Sequence, residues 1–408
     1  MALWSRIKSM LGKSEASEPT AEELFTAEVE AVLAASPHVT AVRRGPDFSL
    51  LVERANGPQT LFLANIYAET RDLSPAERAL RIQRFAAIAE SVDQDEDLSW
   101  DEAREQLVPV LRSATVFQSF AAEKAPLRRP FLPFLIECVA LDSDASMSFV
   151  NRGHASKWGV DAATIFEAAQ ANAARYFGED DVARYPGGSQ HWHVARDDSY
   201  ETSRLLLRGW LAGFAGRVAG RPVAIVPSRS RLIVGGDGDE AGLRELIEGA
   251  QREFSAAARR LSPVLYTVDD DGRVIPLALP PTHPLANDVA LKQLVFASYE
   301  YGAQQEYLQQ AVGDDTFVAS MTAIQRDDGS TFSYTTWAED VPSLLPRADL
   351  IFFAGEGDAK AFGVPWARVI DLVGDCLCLE PGHDPPRWRT DRWPDAVTLE
   401  KLRADAVA

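Results

Sequence analysis

Residues 198–242 constrain the fold more than any other stretch of this chain, because a helical pattern there runs directly into two strands and a glycine-rich turn. Within 200–218, apolar residues recur at helical spacing, at Leu205, Leu206, Trp210, Leu211 and Phe214. Gly216 and Gly220 end this pattern, and two apolar runs, VAIV and RLIV, follow around a turn at 227–230. Both runs are apolar on both faces, as inner strands are. The stretch therefore predicts a helix, a buried strand pair and a second helix.

The rest of the chain alternates between helical and strand patterns, which predicts an α+β fold. Long helical patterns occupy 21–35, 74–92, 160–177, 239–261 and 288–312. Alternating apolar runs bounded by turns fill most of the remainder, and two hairpins turn through Asp-Gly pairs at 271–272 and 328–329. We expect helices packed on mixed, mostly antiparallel sheets.

The clearest boundary in the chain is the segment 276–284, PLALPPTHP, which has four prolines within nine residues. It predicts a linker between an α+β region at 21–275 and a smaller C-terminal α+β domain at 285–408. The first region can be divided further, into subdomains at 21–105 and 106–275. At 408 residues, the chain is long enough for two to three domains of roughly 100–200 residues each.

Residues 1–20 are predicted to form an amphipathic segment, MALWSRIKSMLGK, followed by a polar linker. Residues 1–13 carry basic side chains opposite an apolar face, so a weak contact with a membrane surface is one interpretation. The other is a frayed terminal extension, because one short helix binds a membrane only marginally. The sequence has no signal-peptide cleavage pattern after this segment and no run near the ~18 apolar residues of a transmembrane helix.

The balance of charge argues against a nucleic-acid partner. The chain has 60 acidic and 41 basic residues, which gives a formal net charge of −19. Nucleic-acid binders gain much of their affinity from basic residues that contact phosphates, and this net charge opposes such contacts. Three cysteines are too few for a disulfide framework. We expect a cytoplasmic protein that binds no nucleic acid, and the oligomeric state is left open.

Six segments in ordered positions carry a resemblance to a known family: TLFLANIYAE, LVPVLRS, VNRGHASKWGVDAATIFEAAQANAARYF, DSYETSRLLL, PVAIVPSRSRLIVGGD and LYTVDDDG. Over roughly residues 21–275 the chain resembles the bacterial YtpQ family, a domain of unknown function (number 1444). Residues 285–408 lie outside the resemblance. The resemblance implies a shared fold, and it implies no activity because the family has no established biochemical role.

The sequence GDGDEA at 236–241 matches the pattern G-x-G-x-x-A between a strand and a helix. Such a loop can bind a dinucleotide, because backbone amides at the start of the helix cradle the pyrophosphate. Here Asp237, Asp239 and Glu240 would place negative charge against the phosphates. The preceding strands also form a hairpin pattern rather than a parallel crossover. We favour a loop whose carboxylates cap the helix, with a cation site as the alternative, and predict no cofactor.

His191 and His193 are candidate metal ligands. In an extended segment they share one face at i, i+2, and Asp197 follows closely. Two imidazoles and one carboxylate form a common type of metal site. The competing interpretation is that these are ordinary polar residues of a strand, because the spacing often arises by chance.

Arg229 and Arg231 are candidate anion ligands in the turn sequence PSRSR. Two guanidinium groups there could hold a carboxylate or a phosphate. A hairpin turn requires polar residues in any case, and that is the competing interpretation.

Two functions fit these patterns. The first is a non-enzymatic binding or interaction protein, because the sequence has no recognisable catalytic motif and its predicted sheet edges could pair with a strand of a protein partner. A pulldown without a reproducible protein partner would count against it. The second is a hydrolase or other enzyme of unfamiliar type, metal-assisted through His191, His193 and a nearby carboxylate. The absence of metal by elemental analysis, with imidazoles that point apart, would exclude that version. We favour the first and assign no catalytic residue.

Overall fold

The computed structural model describes residues 21–45, 48–54, 57–71, 73–91, 98–120, 124–142, 147–177, 182–186, 190–195, 200–257, 259–312, 315–355 and 361–407. The predicted amphipathic segment 1–13 lies outside the described residues. The chain divides into two compact units, Met1–Asp97 and Leu98–Ala408. Helices and mostly antiparallel sheets make up both units, which confirms the predicted α+β class.

The Met1–Asp97 unit packs helices against a three-stranded antiparallel sheet of order β1-β2-β3. Its described elements are α1 (Ala21–Ala34), β1 (Val39–Gly45), β2 (Ser49–Arg54), β3 (Gly57–Phe62), α2 (Ala64–Thr70) and α3 (Pro75–Ser91). The apolar run at 60–67, TLFLANIY, is typical of a single strand, but the structure divides it between β3 and α2. The chain leaves the sheet at Phe62, and Ile66 then enters the core from the helix. Burial of Ile66 thus overrides the strand propensity of this segment.

The Leu98–Ala408 unit begins with a sheet in which β6 pairs with β4, β5 and β7, each time antiparallel. The elements are α4 (Trp100–Ala103), β4 (Leu107–Ser113), β5 (Arg128–Leu132), β6 (Leu135–Asp142), β7 (Met147–Phe149), α5 (Arg152–Trp158) and α6 (Ala162–Tyr176). Asp161 caps α6, because its Oδ1 accepts a hydrogen bond from the backbone N–H of Thr164 at 2.8 Å.

A six-stranded antiparallel sheet of order β13-β12-β10-β11-β9-β8 follows. Its elements are β8 (Val182–Arg184), β9 (Trp192–Val194), β10 (Pro222–Ser228), β11 (Arg231–Gly236), α7 (Glu240–Ala256), β12 (Arg260–Val268) and β13 (Val274–Pro276). The predicted strand pair is the centre of this sheet. Val223 and Ile225 pack beneath α7, whereas Ala224 and Val226 face the opposite core, so both faces are buried.

The helix predicted over 200–218 is wrong. The chain forms two short 3₁₀ helices instead, Glu201–Leu206 and Ala212–Phe214. Gly209 and Gly216 have φ angles of 81° and 79°, and such positive values interrupt a right-handed helix. The predicted apolar residues are nevertheless mostly buried, because the turns deliver Leu205, Leu206, Leu211 and Phe214 to one core.

The C-terminal part of the unit joins a 27-residue helix, α8 (Ala286–Val312), to two four-stranded sheets. One sheet contains β14 (Phe317–Val318), β17 (Ser343–Pro346), β20 (Leu377–Glu380) and β21 (Arg387–Thr390). The other contains β15 (Thr322–Gln325), β16 (Thr331–Ala338), β18 (Leu350–Ala354) and β19 (Phe362–Pro365), and the helices α9 (Trp366–Val373) and α10 (Ala396–Ala404) complete the fold. Among the described helices, none has the length and apolar character needed to cross a membrane.

Candidate functional site

Close backbone packing accounts for the glycines of the loop between β11 and α7. A Cβ on Gly236 would come within 1.9 Å of the Ala219 carbonyl oxygen, and one on Gly238 within 2.7 Å of the Gly220 nitrogen. Asp237 and Asp239 of this loop also form hydrogen bonds within the protein. Asp237 binds the backbone N–H and the Nε of Arg221, each at 2.7 Å.

The carboxylate at the start of α7 acts as its N-cap. Oδ1 of Asp239 accepts a hydrogen bond from the backbone N–H of Ala241 at 3.2 Å. This is the capping interpretation favoured for the loop, and a side chain therefore satisfies an amide at the helix N-terminus that a phosphate would otherwise contact.

The two candidate histidines have different neighbours. His191 is buried, and its Nε2 lies 3.1 Å from the carbonyl oxygen of Gly242 in α7. His193 lies in β9 and packs its ring against Tyr185, with ring centroids 5.7 Å apart. Asp197, the third predicted ligand, lies outside the described residues. In the part of the chain that the structure describes, no group of three or more His, Cys, Asp or Glu residues is placed to hold a metal ion.

The two candidate arginines lie in different surroundings. Nε of Arg231 pairs with Glu253 of α7 at 3.3 Å, where the Tyr185 hydroxyl also donates to the carboxylate at 3.3 Å. Arg229 instead lies within electrostatic reach of Cys138 in β6, whose thiol pKa burial raises to about 12. Glu253 therefore already engages one of the two arginines of the predicted anion site.

His191 and Glu253 line a polar cavity of about 210 Å³ beside α7, which we call the α7 pocket. Three carboxylates surround it, those of Glu245, Glu248 and Glu253, together with the guanidinium of Arg252. His191 Nδ1 lies 3.9 Å from an oxygen of Glu245. The structure thus gives His191 a carboxylate neighbour 54 positions along the chain, and no local sequence pattern marks that pair.

A larger cavity of about 390 Å³, the α8 pocket, lies between α8, β12 and β16. Its walls are mainly apolar, and the apolar side chains that line it include Phe134, Leu294, Phe296, Met321 and Phe332. The volume falls in the range of roughly 300–1,000 Å³ that is typical of small-molecule sites. Sequence patterns missed this site because its walls come from segments that are distant along the chain.

A few polar groups interrupt the apolar wall of the α8 pocket. Oδ2 of Asp349 accepts hydrogen bonds from the backbone N–H and the hydroxyl of Ser333, both at 2.7 Å. Arg347 extends its guanidinium over Trp366, 4.7 Å from the ring centroid. Among the described residues Arg347 forms no ion pair, and partial burial lowers its pKa while the charge of Asp349 raises it.

A buried carboxyl group lies on α8, one turn from the residues that line the cavity. Oε2 of Glu300 accepts hydrogen bonds from the backbone N–H of Thr115 at 3.1 Å and from its hydroxyl at 2.9 Å. Burial raises the pKa of Glu300 to about 7 and outweighs these hydrogen bonds. Tyr266 lines the pocket, and burial raises the pKa of its hydroxyl. The charge of Glu300 raises that pKa further. Glu300 is fully buried, so it acts on the pocket only through electrostatics.

Protein-family models, curated proteins and solved structures yield no match to this chain. The resemblance to the YtpQ family therefore stays a prediction.

Proposed function

We propose that this protein is a non-enzymatic binding protein of the cytoplasm whose α8 pocket holds a small amphipathic anion. The ligand has an apolar body and one anionic group, a carboxylate or a phosphate, that reaches Arg347. One observation carries the proposal: among the described residues Arg347 has no ion-pair partner, although it lines a largely apolar cavity of about 390 Å³.

The apolar walls supply the driving force for the ligand body. Phe296 and Phe332 are large side chains of the cavity, and Phe134 packs edge-on against Phe296 with ring centroids 5.7 Å apart. Removal of apolar ligand surface from water contributes roughly 25 cal/mol per Å² before the entropy of association is subtracted. Because α8 and two sheets already fix these rings, ordering the walls takes away little of the free energy gained by burying the ligand.

Arg347 selects the charge of the ligand. Its stacking on Trp366 holds the planar guanidinium in place, and a planar guanidinium can form two parallel hydrogen bonds to a carboxylate. Low-dielectric walls strengthen this attraction relative to water. Asp349 is already hydrogen-bonded to Ser333, and its negative charge opposes a second anionic group on the ligand.

A fluorescent anionic dye with an apolar body, 8-anilinonaphthalene-1-sulfonate, tests the proposal on the full chain. We expect saturable binding that aliphatic or aromatic carboxylates displace and that their primary amides do not. Arg347→Gln should weaken dye binding by about tenfold, the equivalent of about 1.4 kcal/mol. Ala297→Leu should abolish it, because the added side chain fills the cavity from α8.

Arg403→Gln is the matched control, since Arg403 also stacks on an aromatic ring, at 4.5 Å from the Phe362 centroid, but does not line the cavity. Its dye affinity should equal that of the unmodified protein. If Arg347→Gln and Ala297→Leu remain folded and bind the dye as the control does, the proposed site is wrong.

The other predicted functions stay predictions. A protein partner at a sheet edge would use a different surface, and the edge strand β20 exposes 60% of Leu379. A metal-assisted hydrolase would need ligands beyond His191 and His193.

A further inference from the structure

We infer that the α7 pocket is a second binding site and that it takes the primary ammonium group of a small organic amine. The α7 pocket shares no lining residue with the α8 pocket, and its chemistry is of opposite charge. A buried imidazole at its inner wall and the carboxylates of α7 around it define the site.

The hydrogen bond of His191 fixes which ring nitrogen faces the cavity as an acceptor. The Gly242 carbonyl can only accept, so the hydrogen of the neutral ring lies on Nε2, 3.1 Å away. Nδ1 then presents a lone pair, and it has no hydrogen-bond partner among the described residues. Only 4% of the His191 surface is exposed.

Two glycines hold the imidazole in this position. A Cβ on Gly235 would come within 2.7 Å of His191 Cδ2, and a Cβ on Gly242 within 3.5 Å of Nε2. The ring therefore packs directly on the backbone and occupies the space that a Cβ on Gly235 would need. The acceptor is preorganised before a ligand arrives.

A second acceptor lies near Nδ1 in the pocket. An oxygen of Glu245 lies 3.9 Å from Nδ1, too far for a direct hydrogen bond. With the neutral ring, this buried nitrogen and the carboxylate of Glu245, which is 49% exposed, offer two acceptors to a donor or a cation placed between them. Glu248 adds a further carboxylate to the lining, whereas Arg231 already neutralises Glu253 at 3.3 Å.

The separation of 3.9 Å favours an ammonium group over a metal ion. A nitrogen about 2.85 Å from both acceptors subtends an angle of about 86°, so each N–H bond needs to bend by only about 12° from linearity. A transition metal at about 2.05 Å from both atoms would need an angle of about 144°, far from tetrahedral or octahedral values. The spacing therefore fits N–H donors without rearrangement.

The remaining walls indicate the size and shape of the ligand. The cavity of about 210 Å³ has an apolar floor of Ile225, Ile233 and Leu246, which suits a short aliphatic chain. Arg252 also lines it and forms no ion pair among the described residues. Either a simple alkylamine or the zwitterion of a small amino acid presents the required ammonium, and Arg252 would favour the zwitterion.

Calorimetric titration of the full chain with butylammonium, L-norvaline, tetramethylammonium and zinc chloride tests the inference. We expect butylammonium to bind, and tetramethylammonium, which has no N–H donor, to bind at least tenfold more weakly. Tighter binding of L-norvaline than of butylammonium would identify the amino acid as the source of the ammonium group, and the reverse order would identify the simple amine. Equal binding of butylammonium and tetramethylammonium, or binding of zinc alone, would overturn the proposal.

Four variants make the result specific to this site. Glu245→Gln should weaken butylammonium binding by about tenfold, because it removes one charged acceptor. Gly249→Ala should weaken binding by filling the pocket, and it should not unfold α7, since the nearest contact of its Cβ is Arg252 Nη2 at 3.7 Å and alanine favours a helix. Glu240→Gln removes the same charge from the exposed start of α7 and should bind as the unmodified protein does. Ala297→Leu, which fills the α8 pocket, should leave amine binding intact, so failure at one site is distinguishable from failure at the other.

Discussion

Two buried ionisable residues of the Leu98–Ala408 unit show how hydrogen bonding decides the charge of a side chain. Arg387 is fully buried, yet its guanidinium donates to Gln304 Oε1 and to the backbone oxygens of Tyr301, Ala319 and Leu344. Burial lowers its pKa only to about 10, so it stays charged at neutral pH. In Glu300, by contrast, Oε1 has no partner among the described residues, and burial favours the protonated form.

Glu300→Gln should change the pH dependence of stability. The pKa of Glu300 rises from its ordinary value of 4.5 to about 7 in the folded state, so the folded state binds this proton more tightly than the unfolded state. Its contribution to stability is fully present below pH 4.5 and is lost as the pH rises through about 7. Chemical denaturation between pH 4 and pH 8 should therefore show the variant gaining stability relative to the unmodified protein, by a few kcal/mol at most.

Glu306→Gln is the control for this measurement, because Glu306 lies on the same helix and is exposed. Its stability difference from the unmodified protein should be constant across the range. A constant difference for Glu300→Gln as well would mean that the Glu300 carboxyl does not titrate in this window.

At the scale of elements, α8 joins the six-stranded sheet to the two C-terminal sheets. Phe296 packs in the core of the six-stranded sheet, and Leu308 packs against β14 and β17. Arg387 of β21 reaches across to the carbonyl oxygen of Tyr301 and to Gln304, both on α8. The same helix lines the α8 pocket, so the shape of that pocket depends on how firmly α8 is attached.

Arg387→Lys should loosen this attachment. Lysine has a single charged nitrogen and cannot reach the four acceptors of the guanidinium, which leaves buried oxygens without donors. We expect a loss of about 2–4 kcal/mol in the free energy of unfolding and weaker dye binding in the α8 pocket. Arg389→Lys, two residues along β21 at a partly exposed ion pair with Glu380, keeps the positive charge and should cost less than about 1 kcal/mol. Equal losses for the two variants, measured by urea denaturation, would contradict the role assigned to Arg387.

For the whole molecule, the division after Asp97 coincides with the division of the hydrophobic cores. The core of the Met1–Asp97 unit draws its buried residues from Phe25 to Ala86. The cores of the Leu98–Ala408 unit draw theirs from Ala103 to Leu402. A unit that supplies its own core can bury its apolar surface without the other.

A fragment of residues 98–408 should therefore fold by itself. We expect one or more cooperative thermal transitions, dispersed amide signals in NMR spectra, and dye binding in the α8 pocket with the affinity of the full chain. The residues that line both pockets belong to this fragment. A fragment that shows no cooperative unfolding would contradict the division of the chain at Asp97.

The sequence by itself determined the elements whose signals are local. Helical spacing located α1, α3, α6, α7 and α8, and the Asp-Gly turn at 328–329 located the hairpin of β15 and β16. These predictions succeed because a cap, a turn or a periodic face depends on residues a few positions apart. The helix expected over 200–218 failed, since Gly209 and Gly216 adopt positive φ angles that helical spacing does not reveal, and the apolar side chains there pack in a core shared with distant strands.

Only the tertiary structure decided what the candidate site residues contact. His191 was singled out for its spacing from His193, yet its nearest carboxylate is Glu245, and Arg231 pairs with Glu253. The α8 pocket joins Phe134 to Arg347 across more than 200 positions. Side chains that far apart meet only after sheets and helices have packed, and the distances that fix ligand chemistry, such as 3.9 Å at His191, arise from that packing.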